Sequence, residues 1–372
     1  MSTAATDRLA ALAEAHANDS SRELAGHRYR ELTVLAGLGV LLLAAFVISL
    51  ALGSTWIPAR QVASILLGAE GERTAAAIVV ETIRLPRSIT AALAGAALGI
   101  SGLQMQTLFR NPLADPFALG VSSGASLGVA IVVLGTGYGA TALFGATLGL
   151  AGDAAIILAA VIGASLVLGL VLIVSARVES PTTVLILGLM FGYAASAFVT
   201  VLVGATEPER IQLWAAWQFG SFSGVTWQRL KLFAPIIAGG LLLAALTTKQ
   251  LNALLLGENY ARSMGLAVRR MRLLILLSAS VLGAVVTAFC GPITFLGIAV
   301  PHVCRGFLGT SDHRALVPAV VLMGGAVALI AQTASLLPGS AGIVPLNAVM
   351  SLIGAPVVAM VVLRGRRGSV GA

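Results

Sequence analysis

The sequence has 372 residues, of which 58% are hydrophobic and only 10% charged, with 42 glycines and a mean hydropathy of +0.97. A water-soluble domain of this composition would expose a very large apolar surface, so the solvent for most of the chain is a bilayer. The formal charge of +8 does not imply nucleic acid, because the arginines stand singly or in small groups at the ends of apolar runs, where their heads reach the membrane interface.

Residues 1–31 are polar and alanine-rich and lack the basic start, apolar stretch and small-residue cleavage site of a signal peptide. They read as a polar, partly helical cytoplasmic tail. Apolar runs of about 20 residues, the length a helical span needs, then recur through 32–363. They predict ten spans, near 32–52, 88–107, 117–135, 153–175, 182–204, 232–248, 273–290, 292–309, 315–337 and 346–363. Residues 364–372 form a cytoplasmic C-terminal tail. Alternating short segments of the β-barrel kind are missing. The predicted fold is therefore an all-α membrane protein of ten transmembrane helices with both termini cytoplasmic.

Charge placement supports this orientation. Arg60, Arg73, Arg84, Arg87, Arg210, Arg229 and Lys231 fall outside, and the other sixteen of the 23 lysines and arginines fall inside, as the positive-inside rule requires. Residues 53–87 and 205–231 are predicted periplasmic loops. The first contains Arg60-Gln-Val-Ala-Ser-Ile-Leu-Leu, which suits an interfacial amphipathic helix. The second carries Trp214, Trp217 and Trp227 for the headgroup level. Gly95 with Gly99, and Gly120 with Gly124, permit close helix crossings.

Several chemistries are excluded. A phosphate-cradling loop ends in Gly-Lys-Ser/Thr, yet the only lysines are Lys231 and Lys249 and neither follows a glycine. ATP must be hydrolysed by another chain. Asp115, Asp153, Glu179, Glu207, Glu258 and Asp312 lie in predicted loops or at span ends, which argues against a buried proton or sodium relay. No nucleophile elbow or zinc-binding histidine pair occurs. Cys290 and Cys304 read as small buried residues, and His302, beside Pro301, as a structural one. No metal or cofactor is expected.

Two loop segments stand out. Arg84-Leu85-Pro86-Arg87, at the outer mouth of the second span, could offer two positive forks to a partner's carboxylates or anchor at headgroups. Spacing leaves both readings open. The inner loop 249–272 contains L-N-A-L-L-L-G-E-N-Y-A-R-S-M-G-L-A-V at 251–268, a short amphipathic piece, Gly257 as punctuation, and a second helical piece ending near Gly265. That is more structure than a connector needs.

Taken together, R-L-P-R at 84–87, G-L-Q-M-Q-T-L-F-R-N-P-L-A-D-P-F-A-L-G-V-S-S-G-A-S-L-G at 102–128, L-L-G-E-N-Y-A-R-S-M-G-L at 255–266, G-P-I-T-F-L-G-I-A-V-P-H-V-C-R at 291–305, S-D-H-R at 311–314 and P-L-N-A-V-M-S-L-I-G-A-P-V-V at 345–358 resemble the FecCD-like permease family of ABC importers for iron siderophores, haem and cobalamin. The resemblance covers about residues 35–365. It implies a non-catalytic permease subunit of the bacterial inner membrane that carries an iron chelate into the cytoplasm, a siderophore first, haem or cobalamin next. The implied partners are a second permease copy or close paralogue, two cytoplasmic ABC ATPase subunits, a periplasmic or lipid-anchored substrate-binding protein, and membrane lipid.

Residue by residue, the resemblance implies that Leu256, Gly257, Glu258, Ala261, Arg262 and Gly265 couple to the ATPase. Arg84 and Arg87 look like the docking pair for the binding protein. Asn111 and Leu113, with Pro181, Thr182 and Thr183, look like the cytoplasmic gate. One departure is plain: many relatives carry charges in span nine and before the last Leu-Pro, whereas no charged residue lies between Arg314 and Arg364 here. The competing readings are a stand-alone secondary transporter or channel, and a membrane scaffold.

Overall fold

The computed structural model describes residues 3–53, 55–68, 74–135, 152–178, 180–336 and 344–369. Arg73, Glu179 and the segment 337–343, which figure in the sequence reading, lie outside the described residues, as do the side chains of Asp153, Arg364, Arg366 and Arg367. Among the described residues every regular element is helical. Seven helices among the described residues are long and apolar enough to cross a membrane, and three shorter apolar ones, Val121–Val133, Leu296–Leu308 and Leu346–Met360, occupy the other predicted span positions. Among the described residues, length and composition give seven spans outright, and the three shorter helices stand at the remaining three of the ten predicted positions.

In chain order the elements are α1 (Thr3–Ala51), α2 (Ala59–Leu66), α3 (Ala75–Ile78), a wide π turn (Val79–Arg84), α4 (Leu85–Phe109), a 3-10 turn (Pro116–Leu119), α5 (Val121–Val133), α6 (Gly152–Ser175) and α7 (Pro181–Gly204). Then come α8 (Pro208–Gln218), α9 (Trp227–Leu246), α10 (Thr248–Leu255), α11 (Glu258–Ser263), α12 (Val268–Cys290), α13 (Leu296–Leu308), α14 (His313–Ser335) and α15 (Leu346–Ser369). The polar N-terminal stretch is continuous helix with the first span.

The second span begins earlier than the apolar pattern indicates. The hydroxyl of Thr74 accepts from the Ala77 amide at 3.2 Å and caps an alanine-rich start. Helix then continues through the π turn into α4, so residues 75–87, read above as loop, are helical. Pro86 sits in the first turn of α4, where a missing N–H is tolerated.

Helix α4 is the central post. Its side chains from Ala94 to Leu108 are buried almost without interruption, and α14, α12, α13 and α9 all pack on it. Small residues make this crowding possible. A Cβ on Gly95 would lie 2.1 Å from the carbonyl oxygen of Gly324 on α14, so the two backbones touch. Several polar groups of α4 are matched inside the bundle: Ser101 donates to Ala279 O at 2.6 Å, and the Gln106 amide donates to Gly297 O at 3.1 Å while accepting from Arg305 at 2.6 Å.

Two apolar clusters flank this post. One joins α1, α4, α9 and α12 to α15, with Leu98, Phe233, Leu282 and Val320 inside it. The other joins α5 to α7 with α10 to α12, through Val129, Ala164, Leu251 and Ile275. A smaller cluster of Leu50, Ile57, Val62 and Val80 closes the outer end of α1 under α2.

Candidate functional site

The inner loop folds into two short helices. Leu251, Leu254 and Ala261 turn inward and are buried, while Leu256, Tyr260 and Met264 are 63%, 53% and 53% exposed. A loop that presents apolar side chains outward offers a surface for a partner. Between α10 and α11, Gly257 adopts φ +112° and ψ 152°, a conformation essentially reserved for glycine. Gly265 at φ +84° ends α11, with Leu266 N donating to Ala261 O at 3.0 Å.

Glu258 faces inward rather than toward a partner. Both its carboxylate oxygens accept from one Arg272 nitrogen, at 2.7 and 2.9 Å, and Arg272 also donates to Val178 O at 3.1 Å. Arg272 is 5% exposed, so the pair ties α11 to the feet of α12 and α6. Arg262 points outward and, with Arg177, Arg269 and Arg272, lines a pocket of about 310 Å³.

The segment between α4 and α5 carries the expected inner gate. Arg110 turns the chain at φ 48°, and its guanidinium donates to Leu255 O at 3.4 Å. Asn111 Oδ1 accepts from the Leu113 amide at 3.0 Å, an Asx turn that presents Leu113, 40% exposed. Asp115 caps the 3-10 turn by accepting from Ala118 N at 2.9 Å. Burial pushes its carboxyl up to about 6, against the pull of the Ala118 and Phe117 amides. The second half of the gate, Pro181, Thr182 and Thr183, forms the first turn of α7, where Ser180 caps the Thr183 amide at 3.4 Å. The 3-10 turn packs on α7 farther along, Gly120 against Gly188 and Gly192, so the two gate segments are the ends of touching elements.

At the outer end the arginine pair divides. Arg84 is buried, and its guanidinium donates to Leu50 O, Ala51 O and Thr55 O at 2.8, 2.9 and 2.6 Å. It satisfies the free carbonyls at the end of α1. Arg87, one turn on, is half-buried, and its Nε has no partner among the described residues.

Sequence reasoning missed Arg272, because its ion pair joins residues fourteen apart, a separation no helical spacing rule selects. It also missed the inward role of Arg84, because the carbonyls it binds lie 34, 33 and 29 residues earlier in the chain, beyond any spacing rule.

The family model of the FecCD transport family matches residues 41–364, nearly the whole folded chain. The chain belongs to the FecCD transport family. It is a multi-pass permease of the inner membrane, of the ABC-importer type. The vitamin B12 import system permease protein BtuC of Klebsiella pneumoniae is 37% identical over 333 residues, 89% of this chain and 94% of that protein. BtuC of Citrobacter koseri is 35% identical over 339 residues, 91% of this chain and 96% of its own length. Among solved structures, an inward-facing transporter assigned to the metal-chelate type of ABC transporter superposes with a TM-score of 0.75 at 26% identity, covering 89% of this chain and 99% of that one.

Proposed function

We propose that this FecCD permease carries a bulky metal chelate into the cytoplasm, a corrinoid of the cobalamin type before haem or an iron siderophore, on energy from ATP hydrolysed in a separate subunit. The sequence alone put siderophores first. What supports the new order is the 37% identity to a vitamin B12 permease, extending over 89% of this chain and 94% of that protein.

In this reading two permease copies, or this chain and a close paralogue, enclose the path, two ATPases sit beneath them, and a substrate-binding protein delivers cargo from outside. The exposed Leu256, Tyr260 and Met264 enter a groove of the ATPase, and burial of that apolar ridge drives docking. Gly257, Glu258, Ala261 and Gly265 shape the ridge, and Arg262 borders it. ATP binding draws the ATPases together and carries α10 and α11 with them. Asn111 and Leu113 then shift against Pro181, Thr182 and Thr183, so that access exchanges between the two sides. Docking of the binding protein draws unequal support from the arginines: Arg84 would have to release three carbonyls, whereas the Nε of Arg87 has no partner to release among the described residues.

Reconstitution tests this. Proteoliposomes holding the chain, its ATPase and its binding protein should take up labelled cobalamin with ATP, and lose that uptake with a hydrolysis-dead ATPase. Uptake of haem or a ferric siderophore instead would correct the cargo. ATP-independent flux through the chain alone would replace the importer with a stand-alone transporter.

A further inference from the structure

At the inner end of the bundle, three elements meet through side chains outside the coupling and gate sets. Asn252 stands on α10, His313 opens α14, and Thr107 lies in the last turn of α4. Asn252 Nδ2 is 2.6 Å from Asp312 Oδ1. A carboxylate only accepts, so the amide nitrogen faces Asp312 and the amide oxygen faces His313. That oxygen is reached by the His313 backbone N–H at 2.9 Å and by ring Nδ1 at 2.7 Å.

The ring orientation follows from this network. With the proton on Nδ1, Nε2 is an acceptor, so the Thr107 hydroxyl, which lies 2.8 Å from both Leu103 O and Nε2, turns its one proton to Nε2. His313 is 0% and Thr107 2% exposed, so no water competes for these bonds. Asp312 is itself held, accepting from Arg314 N at 2.8 Å as the cap of α14.

The chain of contacts therefore runs Asp312–Asn252–His313–Thr107 without a gap, from the ATPase-facing helix pair to the post of the bundle. Gln106 O, next to Thr107, accepts from the Asn111 amide at 3.2 Å, so the link ends where the gate begins. The apolar contacts of Leu251 and Leu254 alone would let α10 slide, because dispersion is non-directional. Buried hydrogen bonds do not allow that, since a shift of about 1 Å leaves donors and acceptors unmatched.

We infer that Asn252, His313 and Thr107 form a rigid buried link that passes displacement of α10 and α11 to the inner end of α4 and hence to the Asn111–Leu113 gate. They are positioning residues, touching neither cargo nor nucleotide. This inference rests on the importer reading for its purpose but not for its existence.

Two experiments separate those dependences. In the purified chain in lipid nanodiscs, Asn252→Ala and Thr107→Val should speed backbone amide exchange over residues 248–263 about tenfold. Thr107→Ser, which keeps the hydroxyl, should leave it unchanged. Wild-type exchange in both first variants overturns the link. In proteoliposomes with ATPase and binding protein, Asn252→Ala should hydrolyse ATP within about twofold of wild type yet move about tenfold less cargo per ATP, one broken hydrogen-bond link in free-energy terms. Unchanged cargo per ATP overturns the transmission role. A wild-type assembly that moves no cargo with ATP sinks the importer reading instead, and the exchange measurement still judges the link.

Discussion

Arg272 holds both carboxylate oxygens of Glu258 with one guanidinium nitrogen, at 2.7 and 2.9 Å, in a setting where Arg272 is 5% exposed. The charge on Arg272 is thereby balanced inside the fold, and α11 is fastened to the base of α12. Glu258→Ala strands that guanidinium, at an expected loss of about 2 kcal/mol in stability. The double variant Glu258→Ala with Arg272→Met should recover part of the loss, because no unpaired charge remains. Thermal melting in detergent checks this. Equal midpoints for wild type and Glu258→Ala would mean that the pair contributes no stability.

Gly257 offers a separate handle on the same loop. Its φ of +112° strains any side chain, and a Cβ there would lie 3.6 Å from an Arg110 guanidinium nitrogen. Gly257→Arg adds strain and like-charge repulsion where α10 turns into α11, at an expected cost of about 1–3 kcal/mol. The variant should insert in the membrane normally yet fail to retain the ATPase in a detergent pull-down. Normal retention would remove the loop from the docking surface.

Arg84 and Arg87 should respond to substitution in different assays. Arg84→Gln removes charged hydrogen bonds to three carbonyls and should cost about 3 kcal/mol, seen as a lower melting midpoint. Arg84→Lys should rescue only in part, since one ammonium cannot span them all. Arg87→Glu should leave melting close to wild type and weaken binding-protein affinity in a salt-dependent way. Affinity indifferent to Arg87→Glu would return that residue to headgroup anchoring.

These outcomes also mark how far the sequence could be read. The long apolar runs announce the spans, because a bilayer demands about 20 such residues, and Gly257 and Gly265 announce the folded inner loop, because positive φ needs glycine. The R-L-P-R segment misleads on structure. Two arginines and a proline look like loop, whereas helix runs through the π turn into α4, Pro86 sits in the first turn of α4, and Arg84 is turned onto the end of α1. Asn252 and Thr107 could not be found by spacing at all. They meet His313 across 61 and 206 residues of chain, a proximity created only by the packing of α4, α10 and α14.

The half-buried cap at Asp115 makes the gate segment sensitive to pH. Its folded-state pKa is raised from an ordinary 3.8 to about 6, chiefly by burial. For a raised carboxyl the folded state binds the extra proton, so stability is highest below pH ~4, falls as pH rises to ~6, and is flat above that. Asp312 is shifted the other way: burial opposes the shift, but bonds from the Arg314 amide and Asn252 and the charge of Arg314 lower it. Its slope runs opposite, so the two must be separated by substitution. Asp115→Asn keeps an oxygen for the Ala118 amide while abolishing the titration. Relative to wild type, this variant should therefore gain stability at pH ~7.5 and lose the advantage near pH ~4, in amide exchange over residues 111–120. Parallel exchange profiles for the two proteins across that range would show that the Asp115 carboxyl titrates as it does in water.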